Sequence, residues 1–303
     1  MYFDHTTSRA PHAARVERIF EPQALAIRTG EIIVARMTKP VRSPDQSWPV
    51  LLAYTLLQLW AAHACVFFAH EYAHSFSAWL LHWKTNPLAL HYAHPTLVVL
   101  LIQLGINQNV NEAAIFASGH GPQAAIIAAA GVVLGNALIS YPLSRWGYAK
   151  AKQIGSRPWA MFAYWTTVAS IGNFLDYVPI RTFTTEGDMG SIQRGFGCSP
   201  WTILILLGIP TLLAFIYFFA RIEPETLTWL FPISAAKRSF LALLTAFALF
   251  GFYGAAGLLD GGPISHKLSA LSLSIGLPLM SVVSVIVVHR KAVRSFRTSS
   301  LSA

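Results

Sequence analysis

Charged side chains are scarce. Asp, Glu, Lys and Arg make up only 12% of the 303 residues, whereas a soluble globular chain carries about twice that fraction. A soluble two-domain enzyme, the ordinary expectation for this length, is therefore disfavoured from the start. Cysteine is nearly absent too. Cys65 in an apolar run and Cys198 in a loop make neither a metal cluster nor a framework of bridges, and read as packing residues. Acidic residues are also few, 13 against 22 basic, for a net charge of +9. That excess is expected to be topological, because basic residues collect in cytoplasmic loops of membrane proteins. No nucleic-acid partner is expected.

Apolar residues fill the space that charge leaves: 54% of the chain is hydrophobic and the mean hydropathy is +0.49. They are bunched into the runs Trp48 to Ala69, Gly121 to Leu143, Pro158 to Val178, Pro200 to Ala220, Phe240 to Leu259 and Leu268 to Val288. Each supplies roughly the 20 residues that a helix needs to cross a bilayer. The fold class expected is an all-α polytopic membrane protein with about six transmembrane helices. Its parts are a cytoplasmic N-terminal tail (1–47), a membrane core (48–199), three additional transmembrane helices (200–289) and a basic C-terminal tail (290–303). The N-terminal tail is polar, lacks the apolar core of a signal peptide, and has one apolar cluster, Glu31 to Met37, that predicts a short strand or helix.

Six crossings place most basic residues on one side: those of the tail, of the loops Arg145 to Arg157 and Arg221 to Arg238, and of Arg290 to Arg297. The rule that such residues stay inside predicts a multi-pass protein of the plasma (inner) membrane with both termini cytoplasmic. The condition is that Thr85 to His120 does not cross. Its apolar part, Thr96 to Leu104, is too short to span and is flanked by Pro, His, Asn and Gln. Irregular backbone at membrane depth must be shielded by protein, so this segment is expected to be re-entrant. No internal repeat stands out. In the second run Gly131 and Gly135 sit among Ala128, Ala129 and Ala130; ordinary packing of membrane helices, where small residues let backbones approach, is the favoured reading, with a close contact beside an active site as the other.

The sharpest motif is His70-Glu71-Tyr72-Ala73-His74. On a helix, residues four apart share a face, so both imidazoles meet one ion while the intervening carboxylate attends a bound water. Zn²⁺ suits two neutral imidazoles and a carboxylate, with a fourth position open to water. Two histidines and a glutamate inside an apolar membrane helix are costly and face a polar interior when they occur. The helix is expected from Trp48 to about Trp83, longer than a bilayer core requires.

With this motif in an early membrane helix, a non-spanning segment after it, Gly121-Pro122 opening the next helix and a later Asn/Pro/Asp stretch, the chain from about Trp48 to Met189 resembles the site-2 protease family of intramembrane zinc metalloproteases. The last three crossings have no counterpart in that resemblance. It implies a three-helix metalloprotease-like core, zinc as cofactor, a membrane protein or peptide as substrate within the lipid bilayer, and Glu71 as the catalytic general base. It also implies a third ligand from a segment of the form N-x-x-P-x4-D-G. Here that stretch runs from Asn173 through Asp176 and Pro179 to Glu186, Gly187 and Asp188. Asn173 is six residues before Pro179 instead of three, and Asp188 is nine after it with Gly preceding. Asp188 is the first choice beside His70 and His74, Asp176 the alternative and Glu186 the third. Asn173 is the residue expected to contact the transition state or substrate, and the segment 85–120 is expected to receive the substrate by strand pairing.

Two other classes compete. Six histidines lie between Thr55 and Pro95 (His63, His70, His74, His82, His91 and His94), which raises a histidine-rich di-iron membrane oxygenase; there is no adjacent His pair, and convergence of the other four on a second metal is what it requires. A non-catalytic transporter or scaffold that retains a metal site is the other. The last three crossings show no deep charged residue that would mark an ion path.

Overall fold

The computed structural model describes residues 47–259 and 261–301. The element expected at Glu31 to Met37 lies outside them. The chain is all-α and polytopic. A long first helix α1 (Trp48–Leu80) is followed by two short ones, α2 (Leu97–Ile102) and α3 (Glu112–Ala117). Helix α4 (Gly121–Gln153) leads to α5 (Arg157–Leu175), which continues as a wider turn through Asp176–Ile180. The short α6 (Gly187–Phe196) precedes α7 (Pro200–Leu230), α8 (Ala235–Leu258) and α9 (Gly262–Arg294). Residues 290–301, expected as a basic tail, continue the last helix.

Five helices, α1, α4, α7, α8 and α9, are long and apolar enough to cross a membrane. The sixth expected run, α5, is also helical but is not among these five. Its residues form a helix, but Thr166, Thr167, Ser170 and Asn173 interrupt the apolar run, and protein surrounds nearly the whole of it from Ala160 to Phe174. A helix enclosed by other helices need not be matched to lipid. Its hydroxyls are also accounted for locally: Thr166, Thr167 and Ser170 donate to the carbonyls of Phe162, Ala163 and Thr166 at 2.9–3.0 Å, and a hydroxyl bonded in this way is tolerated inside a membrane bundle.

Prolines shape the long helices. Proline lacks an N–H and its ring crowds the carbonyl four residues back, which kinks or widens a helix. Wide π-type turns occupy Gly131–Ser140, Asp176–Ile180, Phe218–Ile222 and Ser272–Gly276, and Pro142, Pro179, Pro224 and Pro278 lie just after or within them. The helix can therefore run past Pro224 where the sequence suggested a loop from Arg221. In this extension, beyond the apolar run that ended at Ala220, Glu223 is fully buried in α7. Cys65 is exposed, so it is not a packing residue.

The segment between α1 and α4 is re-entrant in shape. Leaving α1, the chain passes Ser75, whose hydroxyl donates to the Pro87 carbonyl at 2.6 Å, and descends to Trp60, whose Nε1 donates to the Leu100 carbonyl at 2.9 Å. Trp60 lies 20 residues before the end of α1, about 30 Å along a helix. The chain then returns, and His91 and Asn107 pair as an isolated antiparallel bridge with N···O distances of 3.0 and 3.1 Å. Lys84 Nζ closes the neck by donating to the carbonyls of Ala89, Gln108 and Asn109. Leu97, Leu100, Leu101 and Leu104 on this hairpin remain exposed.

Candidate metal centre

Helix α1 brings His70 and His74 to one face, as their spacing of four requires. A wall of α4 lies directly against them. An added Cβ on Gly131 would come within 2.3 Å of His74 Nε2 and 2.4 Å of His70 Nε2; one on Gly135 would come within 2.7 Å of the Ala69 carbonyl. Both are closer than any real contact, so only glycine lets α4 approach. The favoured reading of this spacing as ordinary packing is thus corrected at Gly131, whose missing side chain makes room for the imidazoles.

Asp188 reaches the same point from α6. Three features place it. Gln193 Nε2 donates to the carbonyls of Thr182 and Thr184 at 2.8 and 3.0 Å, which folds the preceding loop back on α6. Gly187, with φ +63°, supplies the left-handed turn that starts the helix. Gly195 meets Gly121 so closely that a Cβ there would lie 2.2 Å from the Gly121 carbonyl oxygen. The Gly121-Pro122 start of α4 therefore receives α6, and α6 carries Asp188 to the histidines.

The three ligand atoms form a near-equilateral triangle. His70 Nε2 and His74 Nε2 are 2.9 Å apart, and each lies 3.2 Å from Asp188 Oδ2. A tetrahedral zinc with N and O ligands about 2.0–2.1 Å away separates those ligands by about 3.3–3.4 Å, so the donor set fits one small ion. The histidines are 2% and 1% exposed and Asp188 13%. Burial alone would raise the Asp188 carboxyl, but the imidazoles of His74 and His70 hold it well below the usual carboxylate range. His74 Nδ1–H donates to the Ile127 carbonyl at 2.6 Å. Because a carbonyl only accepts, the hydrogen of a neutral ring sits on Nδ1, and Nε2 is the atom turned toward Asp188 and His70. No second group of three such ligands occurs among the described residues.

Glu71 is buried and lines a cavity of about 490 Å³ together with Gln108, Glu112, Tyr177, Arg181 and Asp188. Its Oε2 is buried with no hydrogen-bond partner among the described residues. At the cavity wall Glu112 accepts from Ser191 Oγ. Burial pushes the Glu112 carboxyl up, and the bond from Ser191 partly offsets that.

The remaining expected residues are not at the cluster. Asp176, the alternative ligand, pairs with Arg181 Nε at 2.9 Å. Glu186 lines the cavity but contributes no ligand atom to the triangle. Asn173 donates to the Ala169 carbonyl at 3.0 Å and does not line the cavity. The other histidines scatter. His63 Nδ1 bonds the Tyr253 hydroxyl at 2.7 Å, and His91 is in the hairpin bridge; the second metal site that a di-iron oxygenase requires does not assemble among the described residues.

Two residues escaped the sequence reading. Tyr177 stacks on His70, ring centroids 4.7 Å apart and planes at 29°, and Asn136 Nδ2 lies 3.2 Å from His70 Nδ1. Neither belongs to a spacing motif. Only the polarity of Asn136 within an apolar run marked it. No protein-family model, curated protein or solved structure matches the chain, so function is argued from the site.

Proposed function

We propose that this multi-pass membrane protein is a zinc metallopeptidase of the site-2 protease type, hydrolysing a peptide bond of a membrane protein or peptide. The observation that carries the reading is the triangle of His70, His74 and Asp188 with Glu71 buried beside it at the edge of a polar cavity. His70, His74 and Asp188 would hold Zn²⁺, which supplies Lewis-acid polarisation of the scissile carbonyl and acidifies a water.

The chain's own groups do the rest. Hydrolysis adds water across the C–N bond: Glu71 takes a proton from the water as its oxygen bonds to the carbonyl carbon, then delivers that proton to the leaving nitrogen. Glu71 Oε2, buried without a hydrogen-bond partner among the described residues, is free for this exchange. Arg181 is the cationic residue on the cavity wall and offers a donor to a polarised carbonyl oxygen. With α5 counted as a sixth crossing, the basic residues gather on one side as the sequence expects, with both termini cytoplasmic and the plasma (inner) membrane as location.

The test is elemental analysis of the purified protein beside Glu71→Gln and His74→Ala, with cleavage of membrane-protein substrates assayed in parallel. One zinc per chain retained by Glu71→Gln, with cleavage reduced about 10²–10⁴-fold as for loss of a general base, supports the proposal. Wild-type protein that binds no metal ends it.

A further inference from the structure

His74 and His70 are held differently. His74 is oriented by a backbone carbonyl, that of Ile127, which only accepts and therefore fixes its tautomer. His70 is oriented by a side chain that both donates and accepts. Asn136, fully buried in the wide turn of α4, faces His70 Nδ1 at 3.2 Å with its amide nitrogen, while its own Oδ1 is buried with no partner among the described residues. The two ends of an amide have nearly the same shape. Turning the group over would put Oδ1 on Nδ1 at the same place.

That turn has a chemical consequence for His70. An amide N–H on Nδ1 requires the ring's hydrogen to sit on Nε2, the atom that faces His74 and Asp188. An amide oxygen on Nδ1 requires the hydrogen there instead and leaves the Nε2 lone pair toward the cluster. Tyr177 stacked on one face and α4 at Gly131 against the ring restrict rotation of the imidazole itself, so the amide is the freer partner.

We infer that Asn136 is a positioning residue for metal binding: its amide turns to accept the Nδ1 hydrogen of His70 and so presents Nε2 as a ligand. The inference rests on the metal-site reading above and adds a residue in contact with neither metal nor substrate. Partners of this kind typically change metal affinity by about 10–100-fold when removed.

The experiment uses the full chain in detergent micelles. Zn²⁺ affinity is measured by competition with a chromophoric chelator, and the ligand-field spectrum is recorded with Co²⁺ substituted, for wild type, Asn136→Asp, Asn136→Leu and Asn136→Ala. Asn136→Asp keeps an acceptor oxygen and is expected to bind within a few-fold of wild type with an unchanged cobalt spectrum. Asn136→Leu is near in size but accepts nothing, and is expected to bind about 10–100-fold more weakly with a shifted spectrum and an unchanged Tm before metal is added. Asn136→Ala gives the same readout should leucine fail to fit. Equal affinities and spectra for Leu or Ala and wild type overturn the inference while leaving the metal site standing. A wild-type protein that binds no metal overturns the metal-site reading, and the role of Asn136 with it.

Discussion

The wide turn Asp176–Ile180 separates two cavities of opposite character. On one side Tyr177 and Arg181 face the polar cavity of about 490 Å³ that holds Glu71 and Asp188; on the other Leu175 and Pro179 face a cavity of about 680 Å³ between the turn and α7. The second is lined almost wholly by aliphatic and aromatic side chains, among them Leu212, Phe215, Phe219 and Phe250. Size therefore does not identify the functional side. The larger cavity has no group that titrates, donates strongly or binds an ion. The smaller one gathers four carboxylates and an arginine in a chain with few charges to spend. In a membrane protein such a concentration is costly and needs a reason, and the triangle of ligand atoms supplies one.

The contrast can be broken or sharpened by substitution, beginning where the effect is largest. Gly131→Ala drives a methyl into both imidazoles; metal affinity is expected to fall by about two orders of magnitude or more, the scale of a 1 Å misplacement, with a stability loss of about 1–3 kcal/mol from overpacking. Chelator competition and thermal unfolding read the two effects, and retention of full affinity would mean that α4 does not press on the site. Asp188→Asn and Asp176→Asn form a matched pair. The first is expected to lose stoichiometric zinc. The second should keep it and lose about 1 kcal/mol, the range for an ion pair with a partly exposed partner, since Asp176 is paired with Arg181 and gives no ligand atom to the triangle. Zinc lost from Asp176→Asn and kept by Asp188→Asn would reverse the ligand assignment.

On the apolar side the expected effects are small. Gly208→Ala places its Cβ in ordinary contact, 3.4 Å from Leu204, and should leave metal binding unchanged while raising helix stability by about 0.5–1 kcal/mol. A zinc affinity that responded to this change would join the two cavities functionally.

Much of this contrast was visible in the chain itself, and the reason differs by residue. His70 and His74 were legible because ligand spacing on a helix is local, and Asp188 only because its segment resembles the third-ligand segment of a known family. The role of Gly131 was not legible: its spacing is the same whether the facing surface is leucine or imidazole, and only the approach of α1 decides. The roles of Tyr177 and Asn136 likewise depend on a contact between helices distant in sequence. Helix α5 is marked less clearly by hydropathy, for the opposite reason. Its length suits a bilayer, but enclosure by other helices removes the demand for an all-apolar surface. Glu223 was misplaced because a wide turn lets α7 run past Pro224.

The hairpin between α1 and α4 is tethered by its backbone. Trp60, Ser75 and Lys84 all grip main-chain carbonyls of the hairpin. Apart from Lys84 itself, none of these anchors depends on which side chains the hairpin carries. Leu97, Val98, Leu100 and Leu101 can therefore be exchanged for other apolar residues without loosening these anchors. On the peptidase reading, the loop beside the site is a replaceable face on a constant frame, where preference for one membrane sequence over another can diverge while the chemistry stays the same.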